Sequence, residues 1–245
     1  MPSRIPSIDS SEAMLAAVRH FGMIPFFRNA VSGWSIEDLT APGCWFGDED
    51  EGGTLGPWDW KIDTVRAGDI AYGKFIGGKA AFATFEWYRH LMNWRRSLAQ
   101  HALAENGHPA FLLDAIKKNG SLEAHEMRAL LKPRIPDIKK QTVDALLQRL
   151  EMGTWAIIGD FTRVYRGPNL VYSGWQRSSI TTPDELFKSC IRVSGDSEPF
   201  WAKFIDERPE SELPSCTAEE SRETLISHIQ SFFPDTERNI IEKMI

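Results

Sequence analysis

The sequence predicts an α+β, helix-rich protein with a winged helix-turn-helix core, an aromatic N-terminal α/β-hairpin region and a helical C-terminal extension. Three observations carry that prediction. Residues 109–175 pass through three amphipathic helical stretches and then two strand-like stretches. Upstream, Gly77-Gly78 divides two runs of small and aromatic residues, which is a hairpin signal because both turn residues can take positive φ. Downstream, residues 179–245 are acidic and patterned as helices. The expected units are therefore 1–100, 101–178 and 179–245.

Residues 9–21 form the first expected helix, capped by Asp9, Ser10 or Ser11, with Met14, Leu15, Val18 and Phe21 at helical spacing. A short second helix starts at Ser35, with Asp38 as an acidic capping-box partner. Residues 43–61, "GCWFGDEDEGGTLGPWDWK", read as a solvated acidic turn pinned by Trp45, Trp58 and Trp60. After the Gly-Gly hairpin, Thr84 caps "FEWYRHLMNWRRS", with Trp87, Leu91 and Trp94 inward and Arg89, Arg95 and Arg96 toward solvent.

In the middle unit, "AFLLDAIKKNG" is a helix that Gly120 ends, and Ser121 caps "LEAHEMRALL", closed at Lys132-Pro133. The loop "KPRIPD" leads to a third helix, in which Val143, Leu146, Leu147 and Leu150 make one apolar face. Strands follow, joined at Gly159-Asp160 and at Gly167-Pro168-Asn169. In the last unit, Thr182 caps "TPDELFKSCIRV", and "SRETLISHIQSFF" and "DTERNIIEKMI" flank Pro234.

Composition narrows the function classes. No apolar run approaches ~18 residues, so no membrane span is expected. The N-terminal residues lack a signal-peptide pattern. Three widely spaced cysteines argue against a disulfide framework or a closed zinc site, and the expected location is the cytoplasm. The net charge of −6 is uneven: −2 over residues 1–100, +3 over 101–178 and −7 over 179–245. Only the middle unit would attract phosphate.

Motif spacing removes several chemistries. Residues 73–80, "GKFIGGKA", match a phosphate loop except at Ala80, which lacks the hydroxyl that would hold magnesium, and the strand-like context is wrong. Counted from Asp48, a calcium loop would need a ligand at Gly52 and a glutamate at Asp59. The six histidines show no metal-ligand spacing, so no metal and no cofactor are expected.

In the winged-helix reading the third helix lies in the major groove, with Lys139, Lys140 and Gln141 exposed at its start. Lysines there neutralise phosphate, while Gln141 can pair with adenine. The hairpin tip carries Arg166 and Asn169, with Arg163 on the preceding strand. Double-stranded DNA is thus the expected partner; a protein partner is the competing reading.

The segments "LLDAIKKNGSLEAHEMRALL", "TVDALLQRLEMGTWAIIGDFTRVYR" and "YSGW" resemble the winged-helix core of proteins related to bacterial alkylpurine-DNA glycosylases with tandem winged helices. The preceding "YGKFIGGKAAFATFEWYRHLMNWRR" is similar to an aromatic, Arg-ended segment of the uncharacterised relatives of that group. The resemblance covers residues 58–175 and implies contact with DNA. Those glycosylases use a Gln-x-Gln or Gln-x-Asp pair to position water and stabilise the forming sugar cation. Gln100, Gln141, Gln148, Gln176 and Gln230 all begin other triplets here, so no catalytic residue carries over. For an enzymatic reading, a glycosylase-like hydrolase, the acidic Asp48 and Asp50 would have to replace that pair.

Overall fold

Local capping chemistry starts several helices where the sequence places them. In the computed structural model, which describes residues 7–45, 56–187 and 214–245, the Ala13 amide donates to Ser10 Oγ at the start of α1 (Ser11–Phe21). Strand β1 (Met23–Pro25) follows, and Ser35 accepts from the Asp38 amide to begin α2 (Ile36–Leu39). The acidic run Asp48 to Glu51 lies outside the described residues.

Residues 57–66 depart from the expected turn. They form a helix, α3 (Pro57–Arg66), with proline in the first turn and Gly56 before it. Proline is pre-organised for that place because its missing N–H would be unsatisfied there anyway. The helical face of Trp60, Thr64, Ile62 and Val65 is buried, which gives this segment its tertiary support.

Strands β2 (Ile70–Ile76) and β3 (Lys79–Thr84) then form the hairpin, with Gly77 and Gly78 at φ 56° and 69°. Helix α4 (Phe85–Arg96) buries Tyr88, Leu91 and Met92. It also buries Arg95, contrary to the solvent role expected of it. That guanidinium replaces lost water with the Ile245 and Met152 carbonyls, so burial is compensated.

A short 3-10 turn (Ala99–His101) leads to α5 (His108–Asn119), β4 (Ser121–Glu123), α6 (Ala124–Leu131), α7 (Lys140–Met152), β5 (Ile157–Arg166) and β6 (Val171–Thr181). Two details differ from the sequence-based expectation. Ser121 opens a strand rather than a helix, because β6 offers it a pairing edge from Ser179 to Thr181. Glu123 and Glu126 then cap α6 reciprocally. Gly159-Asp160 is a bulge within β5 and not a turn. Glycine permits it: a Cβ at Gly159 would stand 2.6 Å from Thr181 Cγ2.

Thr182 accepts from the Glu185 amide to start α8, described over residues 183–187. Helices α9 (Ala218–Phe232) and α10 (Arg238–Met244) close the chain over the first half. His228 of α9 stacks on Trp87 with centroids 3.4 Å apart, and its Nε2 donates to the Phe21 carbonyl.

All pairings in the six-stranded sheet are antiparallel, in the order β1-β3-β2-β5-β6-β4. One register pair, Tyr72 opposite Ile158, joins the two halves. A large core gathers α1, α3, the first hairpin, α4 and α9 around Phe21, Phe75, Phe82, Tyr88 and Leu225. A smaller core joins α5, α6, α7 and β6 through Leu112, Ile116, Met127, Leu147 and Ile180. Ile158 packs against both. The fold is therefore mixed α+β, and no helix among the described residues is long and apolar enough to cross a membrane.

Truncating Arg95 should show how far the C-terminal helices depend on it. Arg95→Ala is expected to lower unfolding free energy by about 3 kcal/mol, since two buried carbonyls lose charged donors. Arg95→Lys should recover only part, because lysine lacks the planar fork. Urea unfolding checks this; an alanine variant within ~0.5 kcal/mol of the parent would discard the clamp.

Candidate nucleic-acid interface and adjoining cavity

Helix α3 brings Trp58, Asp59 and Lys61 to one region within four residues. Trp58 and Lys61 lie three apart and so share a helix face, and Lys61 Nζ stands 3.2 Å above the Trp58 ring centroid. Phe161 of β5 approaches the same amine, with its ring centroid at 4.9 Å. Lys61 is 1% exposed, and burial pushes its ammonium down to about 7, with the Asp59 charge opposing the shift.

Asp59 is also buried, at 4% exposure. Its Oδ1 accepts from the Tyr172 hydroxyl and from Gln176 Nε2, each at 3.0 Å, and lies 3.4 Å from Arg163 Nε. Burial pushes the Tyr172 hydroxyl up, with the Asp59 charge adding to it. Gln176 Nε2 is also 3.0 Å from the Trp58 carbonyl. Arg163 and Gln176 are opposite each other across β5 and β6, so the hairpin's pairing brings both to one acid.

Beside this network lies a cavity of about 600 Å³ lined by Trp58, Lys61, Tyr72, Phe161, Gln176 and Ser178. Exposed Lys74 and Lys79 also border it. Gly73 forms part of the wall, and a Cβ there would sit 3.3 Å from Glu151 Oε1. Glu151, at the end of α7, is 2% exposed. Burial pushes its carboxyl up to about 7, opposed by the Lys74 charge and the Lys74 backbone N–H.

A second cavity, about 430 Å³, lies against the start of α7 and is lined by Glu123, His125, Arg128, Lys140, Asp144 and Arg177. Gln176 and Ser178 line both cavities, so β6 is their common wall. Arg128 Nε donates to the Ile138 carbonyl at 3.0 Å and fixes the loop that enters α7.

Of the residues singled out in the sequence, Lys139 is the residue before α7, Lys140 its first, and Gln141 its second; all three are exposed. Lys140 reaches the second cavity. Arg163 is exposed on β5 but paired to Asp59, so part of its charge is already answered. Arg166 ends β5 and Asn169 lies in the turn, both exposed. They sit toward the far end of the hairpin: Val171 is five residues along β6 from Gln176, roughly 16 Å at strand rise. Tyr165, Leu170, Val171 and Trp175 expose large apolar surface on the same hairpin.

Asp59, Lys61, Tyr172, Gln176 and Glu151 went unread as a site. The one local signal was a lysine among aromatic residues in "WDWK". Among the described residues no group of three or more His, Cys, Asp or Glu could hold a metal.

A protein-family model described as AlkZ related matches residues 8–245. No curated protein and no solved structure matches the chain.

The two buried ionisable groups make opposite contributions to stability against pH. Between pH 4.5 and about 7 the folded state holds the Glu151 proton more tightly than the unfolded chain, so stability falls as pH rises. Between about 7 and 10.5 the unfolded chain keeps the Lys61 proton that the folded state has lost, so stability rises with pH. Their joint contribution has its minimum near pH 7. Urea midpoints at pH 5, 7 and 9 should show the acid limb flattened in Glu151→Gln and the alkaline limb flattened in Lys61→Met. Parallel profiles for the parent and both variants would contradict the assignment.

Proposed function

The chain belongs to the AlkZ-related family, and from that premise we propose a DNA-repair-related role in which residues 101–178 act as a winged helix on double-stranded DNA. The order α5, β4, α6, α7, β5, β6, with β4 paired to β6, supports the winged-helix reading. In it α7 is the recognition helix and β5–β6 the wing.

The observation that carries the proposal is the exposed start of α7. Lys139, Lys140 and Gln141 stand there together, beside a cavity whose other cations are Arg128 and Arg177. A recognition helix enters the major groove by its N-terminal residues, so these side chains are the ones that would meet phosphate and base edges. Lys139 and Lys140 neutralise backbone phosphates, Gln141 addresses a base, and Arg166 and Asn169 hold the neighbouring backbone from the wing. Arg163 both contacts DNA and seats the wing on Asp59. Apolar Tyr165, Leu170 and Trp175 suit the shallow wall of a groove more than open water.

A catalytic version of this role is favoured by Asp59. A buried carboxylate beside an aromatic cavity could stabilise positive charge on a sugar as a base departs, in place of the missing glutamine pair. Release of alkylated bases from duplex DNA, abolished by Asp59→Asn, is its expected signature. No release across a panel of damaged bases would remove the catalytic version and leave the binding role.

For binding itself, duplex affinity is expected to fall steeply with salt. The triple variant Lys139→Ala, Lys140→Ala, Arg166→Ala should bind at least ~10-fold more weakly and reduce the log–log salt slope by roughly 2–3. Fluorescence anisotropy across a salt series measures both. Unchanged affinity and slope in the variant would defeat the interface; absence of any duplex binding would instead assign the exposed apolar hairpin to a protein partner.

A further inference from the structure

We propose that Lys61 is an amine nucleophile that forms an imine with the aldehyde of a ring-opened deoxyribose phosphate, the sugar chemistry of an abasic site, bound in the cavity of about 600 Å³. The proposal rests on the DNA-repair reading for its substrate source, and on geometry for its chemistry.

Lys61 lines the cavity, and its amine lies between the Trp58 face and the Phe161 ring. Two further cations, Lys74 and Lys79, border the same cavity and are exposed, as a phosphate would require. Gln176 and Ser178, which also line this cavity, are shared with the cavity beside the start of α7. In the proposal, β6 links the DNA face at the start of α7 to the cavity that Lys61 lines. Neutral amine is available at ordinary pH because burial disfavours the ammonium.

The reaction needs no oxidant, reductant or metal. The Lys61 Nζ lone pair attacks the C1′ aldehyde carbon, forming the C–N bond, and the carbonyl π pair moves to oxygen. Protons pass from nitrogen to that oxygen, water leaves, and the C=N bond completes the imine. Asp59 Oδ1 is occupied by Tyr172, Gln176 and Arg163 and acts as a positioning residue, holding the hairpin wall in place.

Borohydride trapping at neutral pH tests this in two arms. One uses duplex DNA carrying a single abasic site; the other uses free 2-deoxyribose 5-phosphate. The expected result is a reduced adduct in both, mapped by peptide mass spectrometry to Lys61, and reduced at least ~10-fold in Lys61→Arg. If that variant fails to fold, mapping on the parent protein decides. Lys61 labelled by the sugar phosphate alone, with no duplex binding, upholds the amine chemistry and removes the DNA reading. Duplex bound with Lys61 unlabelled in both arms, or adducts only on other amines, overturns the proposal and leaves the DNA reading intact.

Discussion

One buried carboxylate holds the two halves of this protein in register. Asp59 lies within α3, and every donor to its Oδ1 named above comes from the β5–β6 hairpin. A buried acid without such donors would be expensive to desolvate, so the hairpin must dock for α3 to keep it. Arg66 repeats the arrangement further along, reaching Asp160 at 2.8 Å and the Phe161 carbonyl at 3.1 Å. Between strands β2 and β5, by contrast, the register pair is Tyr72 with Ile158 alone. Side-chain polar contacts from α3 thus do much of the work that a longer ladder would otherwise do.

That docking determines the chemistry available to the next residues of the helix. Lys61 lies two positions after Asp59, turned well away from it, and three after Trp58, directly over its ring. Once the hairpin seats, Phe161 closes over the amine and removes the water that would stabilise its charge. Its partner strand, β6, presents Gln176 and Ser178 to both cavities. The hairpin is therefore structural wall and cavity lining at once, and in the proposed role Arg163 would serve the fold and a nucleic-acid partner together.

Much of the secondary structure was legible because it is written in local chemistry. Ser10, Ser35 and Thr182 cap helices as read, Gly77-Gly78 turns the hairpin, and the apolar face of α7 follows its leucines. Helix α3 was hidden behind a Gly-rich acidic run, and its buried face makes sense only once α1, β2 and β5 come together around it. The environment of Lys61 was equally hidden, since Tyr72 and Phe161 are local neighbours in neither sequence nor pattern. Arg95 illustrates the same limit: an Arg-Arg pair at a helix end reads as solvated, and only the arrival of Ile245 and Met152 makes one of them a core residue.

The strongest physical case for a site here is a concentration of unfavourable features. A buried amine and a buried carboxyl, both driven toward neutrality, border or back the same void at Lys61 and Glu151. Methionine or leucine at either place would avoid the desolvation penalty, and larger side chains would fill the space at a gain in packing. Folding alone therefore favours a different sequence at these positions. Arg95 and Asp59, by contrast, are matched, the first by carbonyls and the second by donors from the hairpin. An amine and an acid driven toward neutrality beside one opening are a cost that folding does not repay, and binding is the function that accounts for it.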